Sequence, residues 1–263
     1  MKPKVVIFSG GMGTRLKEET DYRPKPMVNI GDKPILWHIM KIYSHYGYNE
    51  FVLCLGYKGE MIKKYFYDYE VLNNDFTIDL SRNKSIHIHD SGIEHDWKVT
   101  LADTGLNTLK GGRLKRAAKY IDSDVFMLTY GDGVCDVNID ELMKFHLSHG
   151  KIGTVTGVRP PSLFGELVVE NGQAVLFAEK PQTSTGLING GFFIFNRKIL
   201  DYVTEAEDCD FEFGPLEKLA SEGELMVFEH SGQWQCMDTY RDMEYLNKLW
   251  NSNNAFWKVW DKN

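Results

Sequence analysis

Three short segments, each shaped by glycine or proline, carry the chemistry this sequence can do. Gly10-Gly11-Met12-Gly13-Thr14-Arg15 sets three glycines ahead of a hydroxyl and a guanidinium. Glycine lets backbone N–H groups come close to phosphate oxygens, and a planar guanidinium grips two such oxygens at once. Pro24-Lys25-Pro26-Met27 holds one lysine between two prolines, whose rings fix the backbone on either side. That is a stiff mount for a cation that must meet a phosphate. Tyr130-Gly131-Asp132-Gly133 presents a single carboxylate flanked by glycines, suited to Mg²⁺, which takes one or two carboxylates and fills its shell with phosphate and water oxygens. Each segment also has a plainer reading: a strand-to-helix turn, a solvated loop lysine, an Asp-Gly turn. The presence of all three favours phosphate and a divalent ion.

Weaker signals accompany them. Glu179-Lys180-Pro181 closes a β-rich stretch, and Met237-Asp238-Thr239 precedes the last helical pattern. Lys180 reads equally as a surface charge and Asp238 as a helix N-cap. Asn189-Gly190-Gly191 and Gly111-Gly112-Arg113 are taken as glycine-rich turns able to reach hydroxyls or phosphate. The P-loop pattern is absent, and the dinucleotide fingerprint fails because its third glycine would fall on Leu16. Cys54, Cys135, Cys209 and Cys236 form no C-x-x-C pair, and the eight histidines show no ligand spacing. They are expected on the surface or in the core. Trp250, Trp257 and Trp260 are expected to pack on the domain or on another subunit.

The elements that must position these residues follow from hydrophobic periodicity. Residues 5–8 form a buried, β-branched run feeding the glycine turn, and 125–129 another that ends at Gly131-Asp132-Gly133. Residues 51–55 predict a third buried strand. Helices are predicted at 35–46, stopped by Gly47, at 61–66, and at 138–149, where Asn138 caps, Glu141 sits at the capping-box offset and Gly150 ends the pattern. Strand and helix in alternation predict a mainly parallel sheet covered on both faces. The second half changes texture. A hairpin is predicted from 167–170 and 174–178 around Asn171-Gly172, strands at 192–195 and 225–229, and helices at 215–222 and 240–250. No linker-like composition divides the 263 residues, so one domain with one continuous sheet is expected.

With a formal net charge of −7 and no basic run, the chain is not expected to bind nucleic acid. Anionic ligands must therefore meet a few placed cations. No apolar stretch is long enough for a bilayer and the first apolar run is too brief for a signal peptide, so a cytoplasmic protein without a membrane partner is expected.

Taken in order, Ser9 to Arg15, Lys25-Pro26-Met27 and Gly31-Asp32-Lys33-Pro34-Ile35-Leu36 resemble the signature of sugar nucleotidyltransferases. Pro34 to Met40, Thr129 to Val134, Ile188 to Phe193, Gly223 to Met226 and Met237 to Asp242 resemble the glucose-1-phosphate cytidylyltransferase branch of that family. The resemblance implies a Rossmann-like α/β fold: a mixed, mainly parallel sheet with helices on both faces and β-hairpin elements toward the C-terminus. It implies a nucleotide-binding half at about 1–150, a sugar-phosphate-binding half at about 151–250 and a tail at 251–263. It implies Mg²⁺, CTP and glucose 1-phosphate as substrates, CDP-glucose and pyrophosphate as products, and homo-oligomers. By motif match, Gly10, Gly11, Gly13, Thr14, Arg15, Lys25 and Arg113 would hold the nucleotide. Arg15, Lys25 and Asp132 would carry the catalysis. Asp132 and Asp238 would hold the metal. Glu179, Lys180, Asn189 and Gly190 would hold the sugar phosphate. Gln233 and Cys236, Phe211 and Phe256 depart from the branch's usual residues. Three rival readings stand beside this one: uridylyl or thymidylyl transfer, a non-catalytic nucleotide-sugar-binding regulator, and a redox enzyme, which the broken dinucleotide fingerprint disfavours.

Overall fold

The computed structural model describes residues 2–81, 85–89, 96–160, 166–170, 173–178 and 186–261. An eight-stranded sheet runs through it. In chain order its strands are β1 (Val5–Ser9), β2 (Glu50–Leu55), β3 (Lys98–Asp103), β4 (Val125–Tyr130), β5 (Gly153–Val158), β6 (Ile188–Asn189), β7 (Phe193–Asn196) and β8 (Leu225–His230). The order across the sheet is β6-β5-β7-β4-β1-β2-β3, with β8 also paired to β5. β1 runs parallel to β2 and β4, and β2 parallel to β3. β7 is antiparallel to both β4 and β5. The sheet is thus mixed and mainly parallel, as the alternation predicted.

Residues alternate between two cores because side chains in a strand point to opposite faces. Val5 and Ile7 join Ile35, Leu36, Ile39, Tyr43, Ile139 and Trp257 on one face. Val6 and Phe8 join Leu114, Ala117, Phe126, Phe193, Phe195 and Leu219 on the other. Each Val, Leu, Ile or Phe side chain among them, fully buried, contributes roughly 1.5–3 kcal/mol. The helices α1 (Ile35–His45), α2 (Gly59–Tyr67), α3 (Lys110–Ala117), α4 (Ile139–His149) and α5 (Tyr240–Asn251) supply the covering layers. α4 begins on the Asn138 side chain, which accepts from the Asp140 and Glu141 backbones, and ends at left-handed Gly150. Among the described residues, no helix is long and apolar enough to cross a membrane.

Three expectations shift. The helix predicted at 215–222 is shorter, Glu217–Ser221, because Phe213 and Gly214 leave helical geometry. The predicted hairpin is present as Glu166–Glu170 against Gln173–Ala178, but as a ribbon separate from the main sheet; its Asn171-Gly172 turn lies outside the described residues. Gly111 and Gly112 are not in a turn but inside α3. A Cβ there would meet the Asp210 and Ala206 carbonyls at 2.5 Å and 2.4 Å, so the missing side chains let segment 206–210 lie against the helix.

Candidate active site

The carboxyl ends of the parallel strands converge where an open α/β sheet binds its ligands. Register fixes this: Ser9 lies opposite Leu55, Phe8 opposite Tyr130, and Leu55 opposite Asp103. The chain leaves β1 into Gly10-Gly11-Met12-Gly13 and leaves β4 into Gly131-Asp132, so the two motifs face each other across one rim. A cavity of about 330 Å³ opens there, lined by the glycine turn, Thr14, Arg15, Lys25, Lys110, Tyr130 and Asp132. A larger cleft of about 1160 Å³ lies beside α2, lined by Lys63, Tyr67 and Ile88. It is remote from these cations and carboxylates.

Each glycine of the first motif has a separate reason. Gly13 is left-handed, with φ 63°, and its Cβ would crowd Thr20 at 2.8 Å. A Cβ on Gly10 would strike the Arg113 guanidinium at 2.2 Å. A Cβ on Gly11 would meet nothing within 4 Å. Packing therefore does not demand glycine at 11, and the bare backbone faces open space beside the cavity.

Two carboxylates meet one ammonium. Lys25 Nζ donates to Asp132 Oδ2 at 2.6 Å and also to Asp238 Oδ1. Burial alone would push the Lys25 ammonium down, but the two carboxylates outweigh it and hold it above its ordinary value. Burial opposes the charge on Asp238 as well. The Lys25 hydrogen bond, with Arg15, overrides it and holds the Asp238 carboxyl below the usual range. Arg15 pairs with the other Asp238 oxygen at 2.9 Å while its side chain stays 74% exposed.

Backbone pairing brings the two acids together. Trp234–Cys236 runs antiparallel to Gly133–Cys135, with Cys236 opposite Gly133. Met237 N donates to Asp132 O at 2.8 Å. Residues 132 and 238 therefore flank one small ribbon. Asp238 is not the cap of α5. Thr239 is, in a reciprocal capping box with Asp242, and Asp242 Oδ2 also accepts from Asp238 N at 3.1 Å. The Asp238 side chain is thereby turned to Lys25 and Arg15, which line the cavity.

Arg113, expected at the nucleotide, lines the cavity with its donors turned to the protein's own backbone. Its guanidinium donates to the carbonyls of Leu55, Gly105, Gly10 and Leu106 and to Thr104 Oγ1, at 2.7–3.1 Å. It is 3% exposed. Its donors hold the glycine turn against loop 104–106, so it shapes the cavity wall it helps to line.

Sequence reasoning missed one cluster. Tyr130 OH donates to Glu212 Oε1 at 2.7 Å, Lys110 donates to the same oxygen, and Asn189 Nδ2 donates to Tyr130 OH at 2.9 Å. Lys110 also lies over the Tyr130 ring, 5.1 Å from its centroid. This network brings Asn189 to the cavity's edge, and Gly190 O takes the Trp234 indole N–H at 2.8 Å. Glu212 carries no local signal, because it arrives through the irregular turn at Phe213-Gly214. Glu179 and Lys180 lie outside the described residues.

Residues 4–250 match the nucleotidyl transferase family model. The chain belongs to that family. It is 49% identical to the glucose-1-phosphate cytidylyltransferase of Salmonella typhi, over 98% of this chain and the whole of that protein. It is 48% identical, with the same coverage, to a probable glucose-1-phosphate cytidylyltransferase of Bacillus subtilis. Among solved structures it is similar to HddC from Yersinia pseudotuberculosis, with a TM-score of 0.64 and 25% identity over 95% of this chain and all of that one. Within this nucleotidyltransferase, the glycine turn, Lys25 and the Asp132–Asp238 pair occupy a single rim.

Proposed function

We propose that this nucleotidyltransferase joins the cytidylyl group of CTP to α-D-glucose 1-phosphate and releases pyrophosphate. The observation that carries the reaction class is the meeting of Asp132, Asp238, Lys25 and Arg15 opposite a glycine turn. Full-length likeness to cytidylyltransferases supports the base and the sugar.

Both reactants are polyanions, so positioning and charge neutralisation are the protein's task. A sugar phosphate oxygen attacks the α-phosphorus of CTP as the bond to pyrophosphate breaks on the opposite side. Gly11 presents open backbone to the triphosphate, with Arg15 and Lys25 as its cations. They offset the charge that grows on the leaving group. Asn189 faces the sugar, Gly190 backs it with its N–H and carbonyl taken by Thr156 and Trp234, and Lys180 is assigned the sugar's phosphate by resemblance alone. Arg113 holds the nucleotide side of the rim in shape without touching substrate.

The donor set fits Mg²⁺. Asp132 and Asp238 aim hard oxygens at a common cation, the donor type that suits Mg²⁺. When bound, the ion supplies Lewis-acid stabilisation of phosphate charge. We also propose a homo-oligomer, since Phe76, Ile78 and Ile86 are exposed on a two-stranded ribbon; light scattering in solution tests it.

Pyrophosphate release across four nucleoside triphosphates and a panel of sugar 1-phosphates decides the function. The CTP and glucose 1-phosphate pair is expected to dominate. Preference for UTP or dTTP would reassign the base, and no release from any pair would make the chain a nucleotide-sugar-binding regulator.

A further inference from the structure

We infer that the Lys25 ammonium is a built-in stand-in for the divalent cation: it holds the point between Asp132 and Asp238, must leave for the metal to enter, and on leaving is delivered to the triphosphate. The inference rests on the reading above in one respect, that these two carboxylates are the metal's.

The carboxylates cannot adapt much. Asp132 and Asp238 are carried on backbone locked by the 133–135/234–236 pairing, the Met237 N–Asp132 O bond and the Asp238 N–Asp242 bond. Two carboxylates held this close repel unless a cation lies between them. In the structure that cation is Lys25, whose side chain is only 11% exposed. Its contact to Asp132, at 2.6 Å, is an ammonium distance. Mg²⁺ demands about 2.0–2.1 Å to the same oxygens. One point cannot hold both, and like charges oppose their sharing it. The lysine is the partner able to move, because its flexible four-carbon stem is rooted in a turn braced by Pro24 and Pro26. Arg15 competes less, since its exposed guanidinium pairs with the outer Asp238 oxygen and swings into solvent at small cost.

A displaced Lys25 needs a new anion. Within reach of its root, the cavity wall holds the glycine turn and Thr14, where phosphate oxygens would supply one. Metal and nucleotide then assist each other, and by linkage the assistance is reciprocal. The nucleotide-free protein holds metal weakly because Lys25 already occupies the place. An idle metal ion beside open backbone and water is thereby avoided.

Mn²⁺ alone, without nucleotide, is the probe, followed through the electron paramagnetic resonance signal of the free ion. Lys25→Met is expected to bind one Mn²⁺ about tenfold more tightly than the wild type. Mn²⁺ is also expected to raise the melting temperature of Lys25→Met more than that of the wild type. Asp132→Asn in the Lys25→Met background is expected to abolish the gain, which locates the ion. Lys25→Gln serves as a second variant should methionine between two carboxylates prevent folding. Equal or weaker Mn²⁺ binding by both variants overturns the exchange. Failure of the underlying reading is separately visible, as Mg²⁺ titrations of pyrophosphate release that coincide for the wild type and Asp132→Asn.

Discussion

A guanidinium whose donors all end on carbonyl and hydroxyl oxygens, as those of Arg113 do, ties three segments of backbone without neutralising any acid. Removing it empties the space of a buried side chain and takes one donor from each of five acceptors, of which Leu55 O keeps Thr104 and Gly10 O keeps the Tyr57 N–H. Arg113→Met is therefore expected to lower stability by about 3 kcal/mol or more, read as a fall in the urea midpoint. Gly10 and loop 104–106 lose their common anchor, so KM for the nucleotide rises more than kcat falls. Lys at 113 restores little, because one ammonium cannot fork to five acceptors. A change within about 0.5 kcal/mol of wild type would remove this role. Asp132→Asn tests the opposite kind of residue. It keeps size and hydrogen bonding but removes the charge proposed to hold the metal, so kcat/KM is expected to drop about a hundredfold with the melting temperature nearly unchanged, and the Mg²⁺ titration of the remaining activity moves to higher concentration. An unshifted titration would clear Asp132 of metal binding.

At the scale of elements, the site depends on a ribbon and a cap. Asp242 takes the Thr239 hydroxyl, the Thr239 N–H and the Asp238 N–H, so it both starts α5 and fixes the backbone of Asp238. Asp242→Ala is expected to cost about 1–2 kcal/mol and to lower kcat/KM as well. Thr239→Ala breaks the same cap but leaves Asp242 holding Asp238, and is expected to lower stability alone. Equal activities for the two variants would separate the cap from the site. This also marks what local pattern reveals. Asn138 and Gly150 bound α4 as predicted, because capping is a contact between residues a few positions apart. Met237-Asp238-Thr239 offered Asp238 as a capping candidate, whereas the cap is Thr239, and only the ribbon with residues 133–135 turns Asp238 toward Lys25. β5 went unread because its Thr154 and Thr156 look polar, yet both are buried, with hydroxyls engaged by His146 and by the Phe192 carbonyl. Glu212 is the same case at longer range. The glycine turn, Lys25 and Asp132 were legible because each carries its backbone constraint in its immediate neighbours.

Across the whole molecule, the C-terminal tail returns to the first helix through one histidine. Trp257 is fully buried, and its indole N–H donates to His38 Nδ1 at 3.3 Å while His38 Nε2 lies 2.9 Å from the Ile30 carbonyl. An indole only donates and a carbonyl only accepts, so His38 must be neutral with its proton on Nε2. Burial pushes this imidazole down to about 4; Asp32 favours its charge and Lys258 opposes it. Burial, with His149 beside it, pushes His146 down to about 4 as well. The unfolded chain, with histidines near 6.5, therefore binds more protons than the folded one between about pH 6.5 and 4. Stability is whole above that window and falls as pH drops through it. From pH 7 to 5, His38 alone is expected to remove about 2 kcal/mol. Asp238, held low by Lys25, loses its contribution only below its ordinary value near 4, so this interval isolates the histidines. His38→Gln keeps polar atoms in place without a titrating ring, so its urea midpoint should change less between pH 7 and 5 than that of the wild type. In the wild type, protonation puts a second N–H against the Trp257 indole, and the tail should loosen before the sheet. Tryptophan emission is then expected to shift to the red at a higher pH than the loss of far-ultraviolet dichroism. Coincident transitions would mean that the tail and the sheet unfold as one unit.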